Sequence, residues 1–273
     1  DKEIILGLRN DIFCFNVESI PELEVINELA MRENKIASIC LRVNPDIKAH
    51  THTHIRTGVA ENKFGIAFDE IMYVIKLANT MSNITFKGLH FHIGSQITEM
   101  DDFISLCMCI NRLLEMMDVE GIKAEIINVG GGLGVDYDTP QMHAIPDFHA
   151  YFQTYINNLQ LRPWQTLHFE LGRSVVAQCG TLFTRVLYVK KGVQKQFAIV
   201  DAGMTDLIRP ALYHAHHKIE NISSTAKTYE YYDVVGPICE STDVFDKQVG
   251  MPTTKRGDIL AIHSIGAYGE VMA

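Results

Sequence analysis

Apolar residues follow two alternating rhythms along the chain. Short apolar runs that read as strands cover residues 12–16 (IFCFN), 37–44 (ASICLRVN), 86–92 (FKGLHFH), 126–129 (IINV) and 166–170 (TLHFE). Each of the first four is followed by a segment with helical spacing of apolar positions, at 21–34, 69–81, 100–117 and 147–160, and Pro21 suits the opening turn of the first of these. Strand followed by helix, repeated, means parallel strands joined by crossover helices, so the pattern predicts either a (β/α) barrel or a doubly wound sheet. Past residue 178 the helical spacing fades. The runs at 186–189, 197–200, 231–235 and 258–262 are short and β-rich, which predicts a mainly β domain. No internal repeat or low-complexity segment is visible.

Composition changes this picture little. The 273 residues are 47% hydrophobic, enough for one large core or two ordinary ones. The net charge of −9, with no dense run of Lys or Arg, argues against a nucleic-acid or anionic-membrane partner. No apolar run approaches the ~18 residues that a membrane span requires. Six scattered cysteines, including the lone C-x-C of Cys107 and Cys109, predict reduced thiols and a cytoplasmic setting rather than a zinc site.

Candidate chemistry gathers where parallel α/β folds place it, at the carboxyl ends of the strands: Asn16 and Glu18, Asn44, His90 and His92 with Ser95, Gly130 to Gly132, and Glu170 with Arg173. Strand alternation puts His90 and His92 on one face, and likewise His168 and Glu170. The segment EIINVGGGLGVDYD joins a strand to three successive glycines, which suits either a tight strand-to-helix turn or backbone amides turned toward an anion. Its spacing is neither a dinucleotide fingerprint nor a P-loop. Three readings stay open on these residues. They are a metal-dependent barrel hydrolase using His90 and His92, a non-enzymatic binding module, and an enzyme with a phosphate-bearing cofactor held by the glycines and Arg173, with Glu170 elsewhere on it. His50, His52 and His54 follow Pro45 in a polar segment and read as a loop rather than as ligands.

The motifs HFHIGSQ, NVGGGLGVDY, ELGRSVVA, VDAGMTDLIRPALY, VVGPICESTDVF and GAYG, in this order, resemble those of the diaminopimelate decarboxylases. These are pyridoxal 5'-phosphate (PLP) enzymes of the alanine racemase and ornithine decarboxylase fold type. The resemblance runs essentially from end to end, and RPALY with CES points to the diaminopimelate branch. It implies an α/β fold in which residues 1–178 form the PLP-binding part, the last five strands of a (β/α)8 TIM-type barrel, and residues 179–273 a truncated C-terminal β domain. It also implies a cytoplasmic homodimer with shared active sites that converts meso-2,6-diaminopimelate to L-lysine and carbon dioxide. A PLP-free regulatory or binding homologue of a decarboxylase is the alternative from another class.

For individual residues the resemblance implies the following. Gly131, Gly132, Gly172, Arg173 and the hydroxyl of Tyr268 hold the cofactor phosphate, with Ser95 near that end. His92 stacks on the pyridine ring and Glu170 pairs with its nitrogen. Arg209, Tyr213, Arg173 and Tyr268 face the distal carboxylate of the substrate, and Glu240 its ammonium. Cys239 delivers a proton from the partner subunit, and Lys63 of one subunit pairs with Asp243 of the other. No metal is implied. Two departures stand out. Leucine occupies position 171, where the family has proline, and the Schiff-base lysine in its Y-A-x-K-A-N context is absent. The chain, which begins Asp1-Lys2-Glu3 and stops just after GAYG, is therefore expected to be an internal piece, inactive by itself.

Overall fold

The computed structural model describes residues 1–45, 47 and 63–273, which fall into two units. The first comprises residues 1–133 and 147–171, the second residues 134–146 and 172–273. His50, His52 and His54 lie outside the described residues.

The first unit runs α1 (Lys2–Arg9), β1 (Phe15–Val17), α2 (Ile20–Arg32), β2 (Ala37–Asn44), β3 (Ile66–Ala67), α3 (Ile71–Thr80), β4 (Ile84–Phe91), α4 (Met100–Val119), β5 (Ile126–Asn128), α5 (Phe148–Asn158) and β6 (Thr166–His168). Its strands form one sheet in the order β1-β2-β4-β5-β6, every pair parallel, with β3 also on β2. The strand-helix rhythm of the sequence is thus realised as a parallel sheet, with the helices' buried apolar residues joining those of the strands in one core. In α2 the buried residues are Leu23, Ile26, Leu29 and Ala30, spaced by three or four except for one adjacent pair. Ser19 caps that helix by accepting the amide of Glu22, with proline in the first turn. Cys107 is one of the core residues of α4, packed beside Leu106 and Ile110, and burial pushes its thiol up to about 12. The C-x-C is therefore part of a helix that buries a cysteine, and the cysteines are free thiols.

Register sets the site. Arg42, His90, Asn128 and His168 are aligned across β2, β4, β5 and β6. Gly88 is required two residues earlier: a Cβ there would lie 2.0 Å from the carbonyl oxygen of Ile126, so no other residue lets β4 and β5 approach.

In the second unit, α6 (Arg173–Val176), β7 (Thr181–Lys191), β8 (Gln196–Val200), α7 (Arg209–Tyr213), β9 (Ile219–Asn221), β10 (Tyr229–Val235), β11 (Val244–Pro252) and β12 (Ile259–His263) follow in turn. The sheet order is β11-β10-β8-β7-β12-β9, antiparallel except for β8 with β10. Val186, Ala198, Val200, Tyr232, Val234, Leu260 and Ile262 form its core.

Candidate active site

In the first unit the strand ends converge on one carboxylate. Glu170, two residues beyond β6, accepts from Asn16 Nδ2 at 3.1 Å and Asn128 Nδ2 at 2.8 Å on Oε1. His90 Nε2 lies 3.1 Å from Oε2. The Glu170 amide donates to the Gly130 carbonyl at 2.7 Å, tying the residue to the glycine run. The hydrogen bond from His90, followed by those from Asn128 and Asn16, outweighs burial and holds the Glu170 carboxyl down at about 2. It is an anion at any physiological pH.

The three glycines are demanded by the protein's own packing. A Cβ at Gly130 would meet the Phe91 carbonyl at 2.2 Å, one at Gly131 the Glu170 carbonyl at 2.3 Å, and one at Gly132 the Gly94 carbonyl at 2.7 Å. Gly130 and Gly132 also have φ of +71° and +108°. The run therefore lets three strand ends close on one another. Its amides have partners of their own: Gly130 donates to Asn128 Oδ1 at 2.9 Å and Gly131 to His92 Nδ1 at 3.3 Å. His92 must accept through Nδ1 and is held neutral, its pKa lowered to about 4 by burial first and then by the charge of Arg42. That guanidinium is itself buried and paired with Glu18, whose other oxygen accepts the Gly65 amide.

A stability prediction arises here. A histidine whose folded pKa lies near 4 and whose unfolded pKa lies near 6.5 binds its proton more readily in the unfolded chain. Its contribution is complete above pH 6.5 and is lost as the pH falls toward 4. The urea midpoint of the full-length protein should fall over that window, and His92→Phe should flatten the fall.

The second unit gathers positive charge. Buried Arg173 and Arg209 both donate to the Tyr137 hydroxyl, at 2.6 and 3.3 Å. Arg209 also donates to His217 Nε2 at 2.8 Å, while His217 Nδ1 lies 3.0 Å from the His263 carbonyl. A carbonyl only accepts, so His217 carries its proton on Nδ1 and is neutral; burial first, opposed by that carbonyl, lowers its pKa to about 4. Burial likewise lowers the Arg209 pKa. The guanidinium of Arg173 also lies 4.9 Å from the ring centroid of Tyr268. Two guanidiniums meet on one phenol oxygen, an arrangement that suits an anionic group.

Ser95 is half-buried in the turn after β4, and Leu171 packs its side chain against the core of the first unit. Lys63 is exposed, with its ammonium 4.9 Å from the Phe64 ring centroid. Gly172 precedes α6 with no atom within 4 Å of a built Cβ, and Tyr213 ends α7 half-buried. Cys239 and Glu240 are exposed on the turn between β10 and β11. Asp243, 3% exposed, shapes that turn by accepting the amides of Met204 at 2.7 Å and Ile238 at 2.8 Å. The metal reading of His90 and His92 finds no support, since their nitrogens face Glu170 and the Gly131 amide, and no cluster of three or more metal-binding side chains occurs among the described residues. Asn128 and Tyr137 bound the motif NVGGGLGVDY without being singled out as site residues, and His217 had no signal in the sequence beyond its polarity. No helix among the described residues is long and apolar enough to cross a membrane.

The family model for the pyridoxal binding domain of the pyridoxal-dependent decarboxylases matches residues 2–177. Over 273 residues the chain is 62% identical to a diaminopimelate decarboxylase of Bacteroides thetaiotaomicron, covering all of this chain and 70% of that one. A diaminopimelate decarboxylase of Haemophilus influenzae is 42% identical, with 100% of this chain and 65% of that one covered. The solved diaminopimelate decarboxylase of Helicobacter pylori, complexed with L-lysine, superposes with a TM-score of 0.92 at 40% identity, covering 100% of this chain and 67% of that one. The chain thus spans about two thirds of the length of these relatives. An acidic strand end beside a packed glycine run, matched along the whole sequence at this level of identity, places the chain in the pyridoxal-dependent decarboxylase family, among the diaminopimelate decarboxylases.

Proposed function

We propose that the full-length protein decarboxylates meso-2,6-diaminopimelate to L-lysine and carbon dioxide with PLP. The observation that carries this reading is the ionised Glu170, ringed by Asn16, His90 and Asn128 at the ends of parallel strands. A carboxylate kept anionic by three side-chain hydrogen bonds suits a protonated ring nitrogen, and the paired guanidiniums of the second unit suit a phosphate or a carboxylate, so the residues fit the cofactor and an amino-acid substrate. When bound, PLP supplies a protonated pyridine ring that withdraws the electrons left behind when carbon dioxide departs.

Every other part falls to this chain. Glu170 keeps the proton on the ring nitrogen by offering it an anion, while neutral His92 presents an uncharged face to the ring. Gly131, Gly132, Gly172, Arg173, Ser95 and Tyr268 are assigned to the phosphate, Arg209 and Tyr213 with Arg173 and Tyr268 to the far carboxylate of the substrate, and Glu240 to its far ammonium. Cys239 is assigned the return of a proton to the substrate carbon. In this reading residues 1–178 are the cofactor-binding domain, whose sheet continues as a (β/α)8 barrel in the full-length protein. Residues 179–273 belong to the β domain, and the enzyme works as a cytoplasmic homodimer. The span of the matching pyridoxal binding domain supports the first of these boundaries.

Substrate preference tests the reading. The full-length protein with PLP should release carbon dioxide from meso-diaminopimelate and leave L-lysine and L-ornithine untouched, because a substrate with no second carboxylate leaves buried Arg209 unmatched. Equal turnover of ornithine would contradict it. The dimer is tested separately. Lys63→Ala, if the lysine meets Asp243 of a second copy, should weaken association and lower activity together in sedimentation and rate assays. Unchanged sedimentation would remove Lys63 from the interface.

A further inference from the structure

His90 is the donor to Glu170 that packing does least to explain. It is 4% exposed, and its Nδ1 is buried with no hydrogen-bond partner among the described residues. An unmatched buried polar atom is destabilising, so a leucine or phenylalanine would serve a purely packing role better. What the imidazole gains at that cost is the 3.1 Å approach of Nε2 to Glu170 Oε2. A carboxylate offers roughly four lone-pair directions. Asn16 and Asn128 take two on Oε1 and His90 takes one on Oε2, which leaves the last on Oε2. His90 therefore decides which way the carboxylate points its remaining lone pair. The backbone adds to this: β4 and β5 are locked in register at His90 and Asn128, and Gly88 keeps them close.

We propose that His90 is a positioning residue that, through Nε2, fixes the orientation of the Glu170 carboxylate and keeps the proton on the ligand side of the hydrogen bond Glu170 accepts. The inference rests on the proposed role of Glu170 toward the cofactor ring nitrogen. A carboxylate relieved of one donor gains proton affinity, and a proton that moves from the ring nitrogen onto Glu170 leaves both groups neutral and the ring a weaker electron sink. The other titratable groups that feel Glu170 are Cys14, Cys40 and His92: the hydrogen bond between the two thiols, ahead of burial, raises Cys40 and lowers Cys14, and burial lowers the pKa of His92, so none of the three sets a positive charge beside the anion.

The test uses the full-length protein loaded with PLP labelled with 15N in the ring, whose nitrogen resonance separates the protonated from the neutral ring. Wild type should show the protonated nitrogen. His90→Gln, which places an amide donor near the position of Nε2, should keep it, with kcat within about threefold of wild type. His90→Leu, lacking a donor, should move the resonance toward the neutral ring and lower kcat about tenfold with little change in KM. His90→Asn, whose amide is too short to reach Glu170, should behave as leucine does and replaces it if the leucine variant fails to fold. A protonated ring in wild type with an unchanged resonance in the leucine or asparagine variant would overturn the inference and leave the role of Glu170 standing. A neutral ring in wild type would overturn both.

Discussion

Glu170→Gln in the full-length enzyme is expected to lower decarboxylation by about 10²–10³-fold while PLP stays bound. The amide is nearly isosteric, so the strand ends and the glycine run keep their packing. What is lost is the negative charge that three side-chain donors maintain on Glu170. A neutral amide gives the ring nitrogen no reason to hold its proton, and the electrons released with carbon dioxide have nowhere favourable to go. Steady-state rates with a spectrophotometric count of bound cofactor separate the two effects. Turnover within a few-fold of wild type would mean that Glu170 has no part in the chemistry.

Gly131→Ala should be strongly damaging, and for a packing reason. The added Cβ would fall 2.3 Å from the backbone carbonyl oxygen of Glu170, an atom that cannot swing aside as a side chain would. The two strand ends must part by roughly 1 Å, at a cost of about 1–3 kcal/mol. That shift carries Glu170 away from Asn16, His90 and Asn128, so stability and activity fall together. Gly172→Ala is the control. Nothing lies within 4 Å of its Cβ position, and its φ of −108° is one that any residue adopts, so its unfolding midpoint should match wild type within about 0.5 kcal/mol. Urea denaturation of both variants checks the contrast, and an alanine at 131 as stable as one at 172 would show that the strand ends are free to move.

The parallel strands of the first unit were legible because their apolar runs are bounded by well-formed helical segments, such as the stretch capped by Ser19 and opened by Pro21. Lys2–Arg9 was missed as a helix because it precedes the first readable strand, and Ile66–Ala67 because two residues carry no period. Val244–Pro252 was missed for a different reason. Its burial does not alternate cleanly, and its pairing with Tyr229–Val235 is broken by register shifts at Tyr232/Val234 and Val234/Val235.

The site divides in the same way. Glu170, His92 and the glycines stand out because each lies at a strand end within a dense motif. Asn16 is polar at a strand end and its partner is 154 residues away, while Tyr137 meets guanidiniums 36 and 72 residues further along, so nothing local announces either role. The glycine run itself was read as a choice between a tight turn and an amide cradle. No helix follows until Phe148, so the run is not a strand-to-helix turn; each missing Cβ instead makes room for a carbonyl oxygen of a neighbouring segment.

The central claim is the reaction itself, and carbon balance tests it most directly. Full-length protein with PLP, given meso-diaminopimelate labelled with 13C in its carboxyl groups, should release labelled carbon dioxide and form L-lysine in equal amounts, with neither product formed when PLP is left out. Carbon dioxide without lysine, lysine formation independent of PLP, or neither product from folded, PLP-loaded protein would contradict the account.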